Sequence, residues 1–214
     1  MTKAIFFDLD GTLTDSGEGI MNCAALALEH YGIRVPDRSA LRVFVGPPLR
    51  DSFLRFGIRE ADIPGAIEVF RGRYASVGKF ENVPYPGIHE MLQRLRQNDW
   101  RLFVATSKPE VMALEIMEKF RLSPFFERIC GASLDATRTS KEQVIRYLLE
   151  QIGTPDRIVM VGDTAFDAEG AACFGIPTVG VSWGYGDVPG LLQAGAAAIA
   201  DTPEQLTRLL NAEN

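Results

Sequence analysis

The sequence has no apolar run of membrane-spanning length, only three cysteines, only two histidines and no surplus of positive charge. Each shortage excludes something. Without about 20 consecutive apolar residues no bilayer-spanning helix is expected. No apolar leader precedes the first acidic residue, Asp8, so a secretion signal is not expected either. Cys23, Cys130 and Cys173 are odd in number, widely spaced and in apolar surroundings. That pattern suits buried, reduced thiols rather than a disulfide framework, and predicts a cytoplasmic protein. A formal net charge of −6 argues against a binder of nucleic-acid polymers or anionic membranes. It still permits a small phosphorylated ligand in a locally cationic cleft. His30 and His89 fall in predicted helices away from strand ends, so histidine-dependent chemistry is not expected. No repeat or low-complexity tract is present, and 214 residues suffice for one large domain or a core with a smaller insertion.

What is present begins at the N-terminus. Ala4 to Phe7 reads as a short buried strand, and Asp8 and Asp10 follow it at alternate positions, on one side of the chain. Two like charges held that close repel unless something positive neutralises them. A divalent cation does this most simply, and all-oxygen ligands suit Mg²⁺. Gly11 then permits a sharp turn beside the carboxylates. A solvated acidic turn is the plain alternative. An EF-hand is excluded, because the third alternating oxygen ligand before the glycine and the closing Glu are both missing.

From Ser16 to about Val83 the pattern is helical with no strand signal: Ile20–Tyr31 closed by Gly32, Pro48–Phe56 closed by Gly57, and a third helix from Ile63 or Gly65 to Val77. The Pro84–Gly87 run breaks the chain, after which strands and helices alternate. Strands are expected at Arg101–Ala105, Ile129–Gly131, Arg157–Val161, Pro177–Val181 and near Ala198. Helices are expected at Ile88–Gln97, Pro109–Phe120, Lys141–Ile152, Ala168–Phe174, Pro189–Ala194 and Pro203–Asn211. The fold class is therefore α/β: a doubly wound, Rossmann-like parallel sheet (residues 1–15 and 84–214) interrupted after its first strand by an all-helical insertion (16–83) with two hinge crossings. In such sheets ligands bind beyond the carboxyl ends of the strands, where Asp8/Asp10, Thr106 and Asp163 are all expected.

Three segments carry a family resemblance. Asp8 to Ser16 resembles the first motif of the haloacid dehalogenase-like (HAD) hydrolases, Phe103 to Pro109 the second, and Val159 to Asp167 the fourth, GDxxxD. The resemblance extends over essentially the whole chain and points to the phosphoglycolate phosphatase-like and 5′-nucleotidase-like branches, which carry a small helical cap. It implies a Mg²⁺-dependent phosphatase in which Asp8 is the nucleophile and forms an aspartyl-phosphate. Asp10 would serve as general acid and base, and Mg²⁺ would be held by Asp8, the Asp10 carbonyl and Asp163, with Asp167 in support. Phosphate contacts would come from Gly11, Thr12, Thr106, Ser107 and Lys108, with Lys141 as the catalytic cation. Many phosphoglycolate phosphatases place that lysine in Lys-Pro-x-Pro, whereas here it follows Arg138-Thr139-Ser140, so Lys108 stays open as a second candidate. Dehalogenases lack an acid at the position of Asp10, which argues against dehalogenation.

In the insertion, Phe44 to Phe53 is the candidate specificity loop, stiffened by Pro47 and Pro48, with Arg50 able to fork onto a substrate carboxylate or phosphate. Its prolines and apolar residues are also a candidate homodimer surface. The expected substrate is a small phosphorylated metabolite: 2-phosphoglycolate, or alternatively a 5′-nucleotide. A sugar phosphomutase and a non-catalytic module that keeps the fold are the competing readings.

Overall fold

A computed structural model describes residues 2–135 and 137–212. The chain divides into two compact units, Met1–Thr14 with Pro84–Asn214 and Asp15–Val83. In chain order the elements are β1 (Lys3–Phe7), β2 (Thr14–Asp15), α1 (Gly17–His30), α2 (Leu49–Arg55), α3 (Ile63–Ser76), β3 (Val83–Pro84), α4 (Ile88–Gln97), β4 (Trp100–Pro109), α5 (Glu110–Lys119), β5 (Arg128–Ala132), α6 (Lys141–Ile152), β6 (Arg157–Gly162), α7 (Ala165–Ala172), β7 (Thr178–Val181), α8 (Val188–Gln193), β8 (Ala198–Ala200) and α9 (Pro203–Ala212).

The larger unit is built on a six-stranded sheet in the order β5-β4-β1-β6-β7-β8, and each pairing is parallel. Burial on both faces explains the near-continuous apolar strands. Ile5 and Phe7 of β1 point with Val104 and Val161 into a core completed by Leu92, Ile116 and Leu206 of α4, α5 and α9. Ala4 and Phe6 point the other way, with Phe103 and Met160, against Val144 and Leu148 of α6. The chain grows from β1 outward to β4 and β5, then returns to β1's other side at β6. The order reverses between β1 and β6, which is where a ligand crevice opens in this architecture.

In the smaller unit, helices α1 to α3 enclose an aromatic core. Phe44 meets Phe53 edge-on at 4.9 Å between ring centres, and Phe70 stacks on Tyr74 at 5.6 Å. Gly19 is a close-approach point, since a Cβ there would lie 2.0 Å from the Gly78 carbonyl oxygen. Arg73 is forked onto Glu81 at 2.6 and 2.7 Å.

One element was not anticipated, and two sequence expectations outside the site need correction. Residues 38–44 form a 3₁₀ turn held by Asp37, whose carboxylate accepts from the Ser39 amide at 2.9 Å; its short run gave no periodic signal. The block expected to lack strands, Ser16 to Val83, is flanked by the two-residue strands β2, just before it, and β3, which takes its last residue; they pair with each other and are too short to show alternation. Cys23 and Cys130 are buried as expected, but Cys173 is exposed just past the end of α7.

Candidate active site

Four polypeptide segments of the larger unit meet at the reversal point. The first follows β1. Asp8 is tied to the neighbouring strand by its amide, which donates to the Val161 carbonyl at 2.9 Å. Gly11 turns the chain with φ +82°, a conformation open to glycine, and a Cβ there would lie 2.2 Å from Asp163 Oδ2. The second segment is the end of β6. Asp163 is buried, and α7 begins at Ala165, three residues earlier than expected, because Thr164 and Asp167 form a capping box. Asp167 Oδ2 accepts from the Thr164 amide at 3.0 Å and its hydroxyl at 2.8 Å, turning Oδ1 toward Asp8 and Lys141.

The third segment is the outer end of β4. The expected strand stops at Ala105, whereas β4 continues to Pro109 with a register slip against β5 between Ala105 and Pro109. Thr106 therefore lies inside an irregular strand, at a position where bulging re-aims side chains. It is buried and its Oγ1 accepts from the Lys108 amide at 3.2 Å, while Ser107 is exposed. Lys108 Nζ donates to Asp10 Oδ1 at 2.6 Å, so this lysine serves the second carboxylate. The fourth segment is the start of α6, where Ser140 and Gln143 form another capping box. Lys141 is buried there, its Nζ 2.7 Å from Asp8 Oδ1, 2.7 Å from Asp167 Oδ1, and donating to the Ala105 carbonyl at 2.8 Å. Of the two candidate lysines, Lys141 is thus the one at the first carboxylate.

Asp8, Asp163 and Asp167 each offer an oxygen within 4.8 Å of the others. Against three buried carboxylates stands one ammonium. Apart from Lys141, Asp8 Oδ1 and Asp167 Oδ1 meet no hydrogen-bond donor among the described residues. Burial, then the Asp167 and Asp8 charges, pushes Asp163 up to about 7. Asp167 is raised by burial despite the lowering influence of Lys141. Burial works against the Lys141 ammonium, but Asp167 and Asp8 outweigh it and hold the group above the usual lysine range. A cluster whose own charges frustrate one another in this way, with oxygen donors only, fits a hard divalent cation.

The loop after β7 was missed in the sequence reading. Asp163 Oδ2 accepts from the amides of Tyr185 (2.8 Å) and Gly186 (3.4 Å), and Oδ1 accepts from the Thr12 hydroxyl at 3.1 Å. Trp183 Nε1 donates to the Thr12 carbonyl at 3.0 Å. The available signal was the density of small residues in Ser182-Trp183-Gly184-Tyr185-Gly186 directly after a strand. A Cβ at Gly184 would lie 2.4 Å from Asp163 Oδ2 and 2.4 Å from the Gly11 carbonyl. Gly184→Ala is therefore expected to cost about 1–3 kcal/mol of stability by overpacking, read as a lowered urea midpoint. Of the remaining expected residues, Arg50 lies on α2 in the smaller unit, exposed, its Nε and Nη2 on Glu60 at 3.2 and 2.5 Å. His30 and His89 lie on α1 and α4, and His89 Nε2 is 3.0 Å from the Phe120 carbonyl.

The sequence profile of the haloacid dehalogenase-like hydrolases matches residues 5–181. The chain belongs to this family. Among its relatives, a 5′-nucleotidase of Pseudomonas aeruginosa is 42% identical over 184 residues, 85% of this chain and 83% of that protein. Tyrosine-protein kinase PtkA of Mycobacterium tuberculosis is 43% identical over 185 residues, 86% of this chain but 63% of that protein. Its solved structure matches with a TM-score of 0.87 at 39% identity, over 97% of each chain. A phosphoglycolate phosphatase of Agrobacterium fabrum is 32% identical over 196 residues, 88% of this chain and 84% of that protein. The haloacid dehalogenase-like chain described here is a phosphatase of that family. Among its described residues no helix is long and apolar enough to cross a membrane.

Proposed function

We propose that the protein hydrolyses phosphate monoesters of small metabolites with Mg²⁺, through an aspartyl-phosphate on Asp8. The observation that carries this reading is the buried set of three carboxylates and one lysine at the β1/β6 reversal, beside a separate Asp10–Lys108 pair. Asp8, Asp163 and Asp167, with the Asp10 backbone, would hold the cation. When bound, it would supply the positive charge that lets a carboxylate approach a phosphate dianion. An Asp8 carboxylate oxygen attacks phosphorus as the ester P–O bond breaks, and Asp10 gives its proton to the departing alkoxide. Asp10 then takes a proton from water, which attacks the same phosphorus, releasing inorganic phosphate, freeing the Asp8 carboxylate and returning Asp10 to its protonated form. Lys141 screens Asp8, and Thr106, Ser107, Gly11, Thr12 and Lys108 line the path of the transferring group.

The helical unit, residues 15–83, is proposed as the cap that selects the leaving group and excludes water. Arg50 would exchange Glu60 for a substrate anion. Within the substrate class we place 5′-nucleotides ahead of 2-phosphoglycolate, because the 5′-nucleotidase relative is 42% identical and the phosphoglycolate phosphatase relative 32%.

The test is phosphate release, with and without Mg²⁺, from 5′-mononucleotides, 2-phosphoglycolate, sugar phosphates and a phosphotyrosine peptide. A 5′-mononucleotide about tenfold or more above the rest, about 1.4 kcal/mol of transition-state preference, is the expected result. Phosphate release indifferent to Mg²⁺ removal would overturn the proposed chemistry. Transfer among sugar positions with little free phosphate would instead make the protein a mutase.

A further inference from the structure

Arg138 lies three residues before Lys141 and has no part in the chemistry above, yet the structure gives it four partners. Its Nε donates to the Gly131 carbonyl at 2.6 Å and its Nη2 to Glu110 Oε2 at 2.9 Å. Its guanidinium lies over the Tyr147 ring, 3.8 Å from the centroid. Its amide and carbonyl close the preceding loop on Ser133: Arg138 N–H donates to Ser133 Oγ at 2.9 Å, and Ser133 N–H donates to the Arg138 carbonyl at 2.8 Å. Glu110 Oε2 also accepts from the Gly131 amide at 3.1 Å, so one carboxylate oxygen joins α5, β5 and the loop before α6.

Gly131 is where this network meets the reacting groups. A Cβ there would lie 2.5 Å from the Lys108 carbonyl oxygen and 2.8 Å from the Glu110 amide nitrogen. The backbone of Lys108, in the slipped stretch of β4, thus rests directly on the residue whose carbonyl Arg138 holds. On the other side, the chain from Arg138 leads through Thr139 and Ser140 to Lys141, and Tyr147 anchors the same guanidinium to α6. Lys108 serves Asp10 and Lys141 serves Asp8. At the site itself the Lys141 bond to the Ala105 carbonyl also joins the ends of β4 and α6 that carry them.

We propose that Arg138, forked between Gly131 and Glu110, is a positioning residue that sets the spacing of Lys108 and Lys141, and so of the two carboxylates they serve. This rests on the reading of Asp8 and Asp10 as reacting groups. An arginine suits the task because its planar fork fixes two acceptors at once while its face packs on Tyr147, whereas lysine offers a single point of charge. The pair is partly buried, at 17% and 29% side-chain exposure, so it is better shielded than the surface pairs of this chain.

The test compares Arg138→Ala, Arg138→Lys, Glu110→Gln and the Arg138→Ala/Glu110→Gln double variant in the Mg²⁺-loaded protein, with Arg146→Ala, on α6, as an exposed control. With its preferred phosphomonoester, Arg138→Ala is expected to lower kcat about 30-fold or more with KM within about threefold, the scale of a small misplacement of reacting groups. Added guanidinium, well below denaturing concentration, should restore part of that kcat, and Arg138→Lys should restore little. The double variant should be no slower than the slower single variant. A merely structural arginine would lower thermal stability and leave kcat per folded molecule near that of Arg146→Ala, and that result overturns the proposal. So do losses confined to KM, or losses that multiply in the double variant. If Arg138→Ala does not fold, the kcat of Arg138→Lys and Glu110→Gln decides by the same criteria. Asp8→Asn in the same assay separates the two claims: activity there overturns the proposed chemistry, whereas an inactive Asp8→Asn beside an unimpaired Arg138→Ala overturns the clamp alone.

Discussion

Asp8→Asn is expected to abolish turnover, with kcat lowered by about 10⁴-fold or more, the scale on which enzymes lose a nucleophile. Its effect on stability should have the opposite character. Asp8 is one of three buried carboxylates, and its charge raises the proton affinity of both Asp163 and Asp167. An amide of nearly the same shape removes that repulsion. Lys141 loses one partner but keeps Asp167 at 2.7 Å and the Ala105 carbonyl at 2.8 Å. The cation-free variant should therefore melt at or above the temperature of the cation-free parent, the usual relation where a site stores electrostatic strain for function. Phosphate release and thermal melting on one preparation check both halves. An active Asp8→Asn protein would rule out the aspartyl-phosphate route, and a large drop in melting temperature would mean the Asp8–Lys141 ion pair outweighs the carboxylate repulsion.

The second large effect is on the cation and pH. Without a cation, Asp163 is pushed up to about 7 by burial and by Asp167 and Asp8, from the ordinary aspartate value near 4 in the unfolded chain. Between those values the native state binds more protons than the unfolded state, so stability falls as pH rises through the window, by about 4 kcal/mol at most. With EDTA present, the melting temperature should decline from about pH 5 to about pH 8. Saturating Mg²⁺ should flatten or reverse that slope, because the cation takes the place of the Asp163 proton, and its stabilising effect should grow with pH. Asp163→Asn should remove most of the EDTA-dependent slope and most of the Mg²⁺-induced rise. A melting temperature indifferent to Mg²⁺ across this range would show that the three carboxylates do not hold it.

Much of the molecule is legible in its sequence. The α6 helix was expected at Lys141–Ile152 and is found there, because Ser140 and Gln143 form a capping box ahead of a clear apolar face. The strands of the parallel sheet were legible because burial on both faces makes them short, continuous apolar runs. Errors fell where local signal is weak. The extension of β4 past Ala105 depends on pairing with β5, which no single segment encodes. The start of α7 was placed at Ala168 because its apolar periodicity begins there, whereas the capping box of Thr164 and Asp167 begins it at Ala165.

The candidate site divides in the same way. Lys141 and Asp167 were candidates through the resemblance of their motifs, whereas Asp8, Asp10, Thr106 and Asp163 were identifiable from residue type and position after strands, since the topology of a doubly wound sheet sends strand ends to one edge. Which lysine meets which carboxylate was not, and neither was the grip of the Gly184–Gly186 stretch on Asp163, nor the Arg138–Glu110 pair under Lys108. Sequence alone determined the fold class, because hydrophobic period and turn chemistry are local properties of the chain, and its motifs carried the family resemblance and the chemical types gathered at the reversal point. Only the tertiary structure decided the partners, because contacts between residues 22 to 171 positions apart depend on strand register and loop packing to within an ångström or two, a scale on which charges, hydrogen bonds and the space beside a glycine are settled.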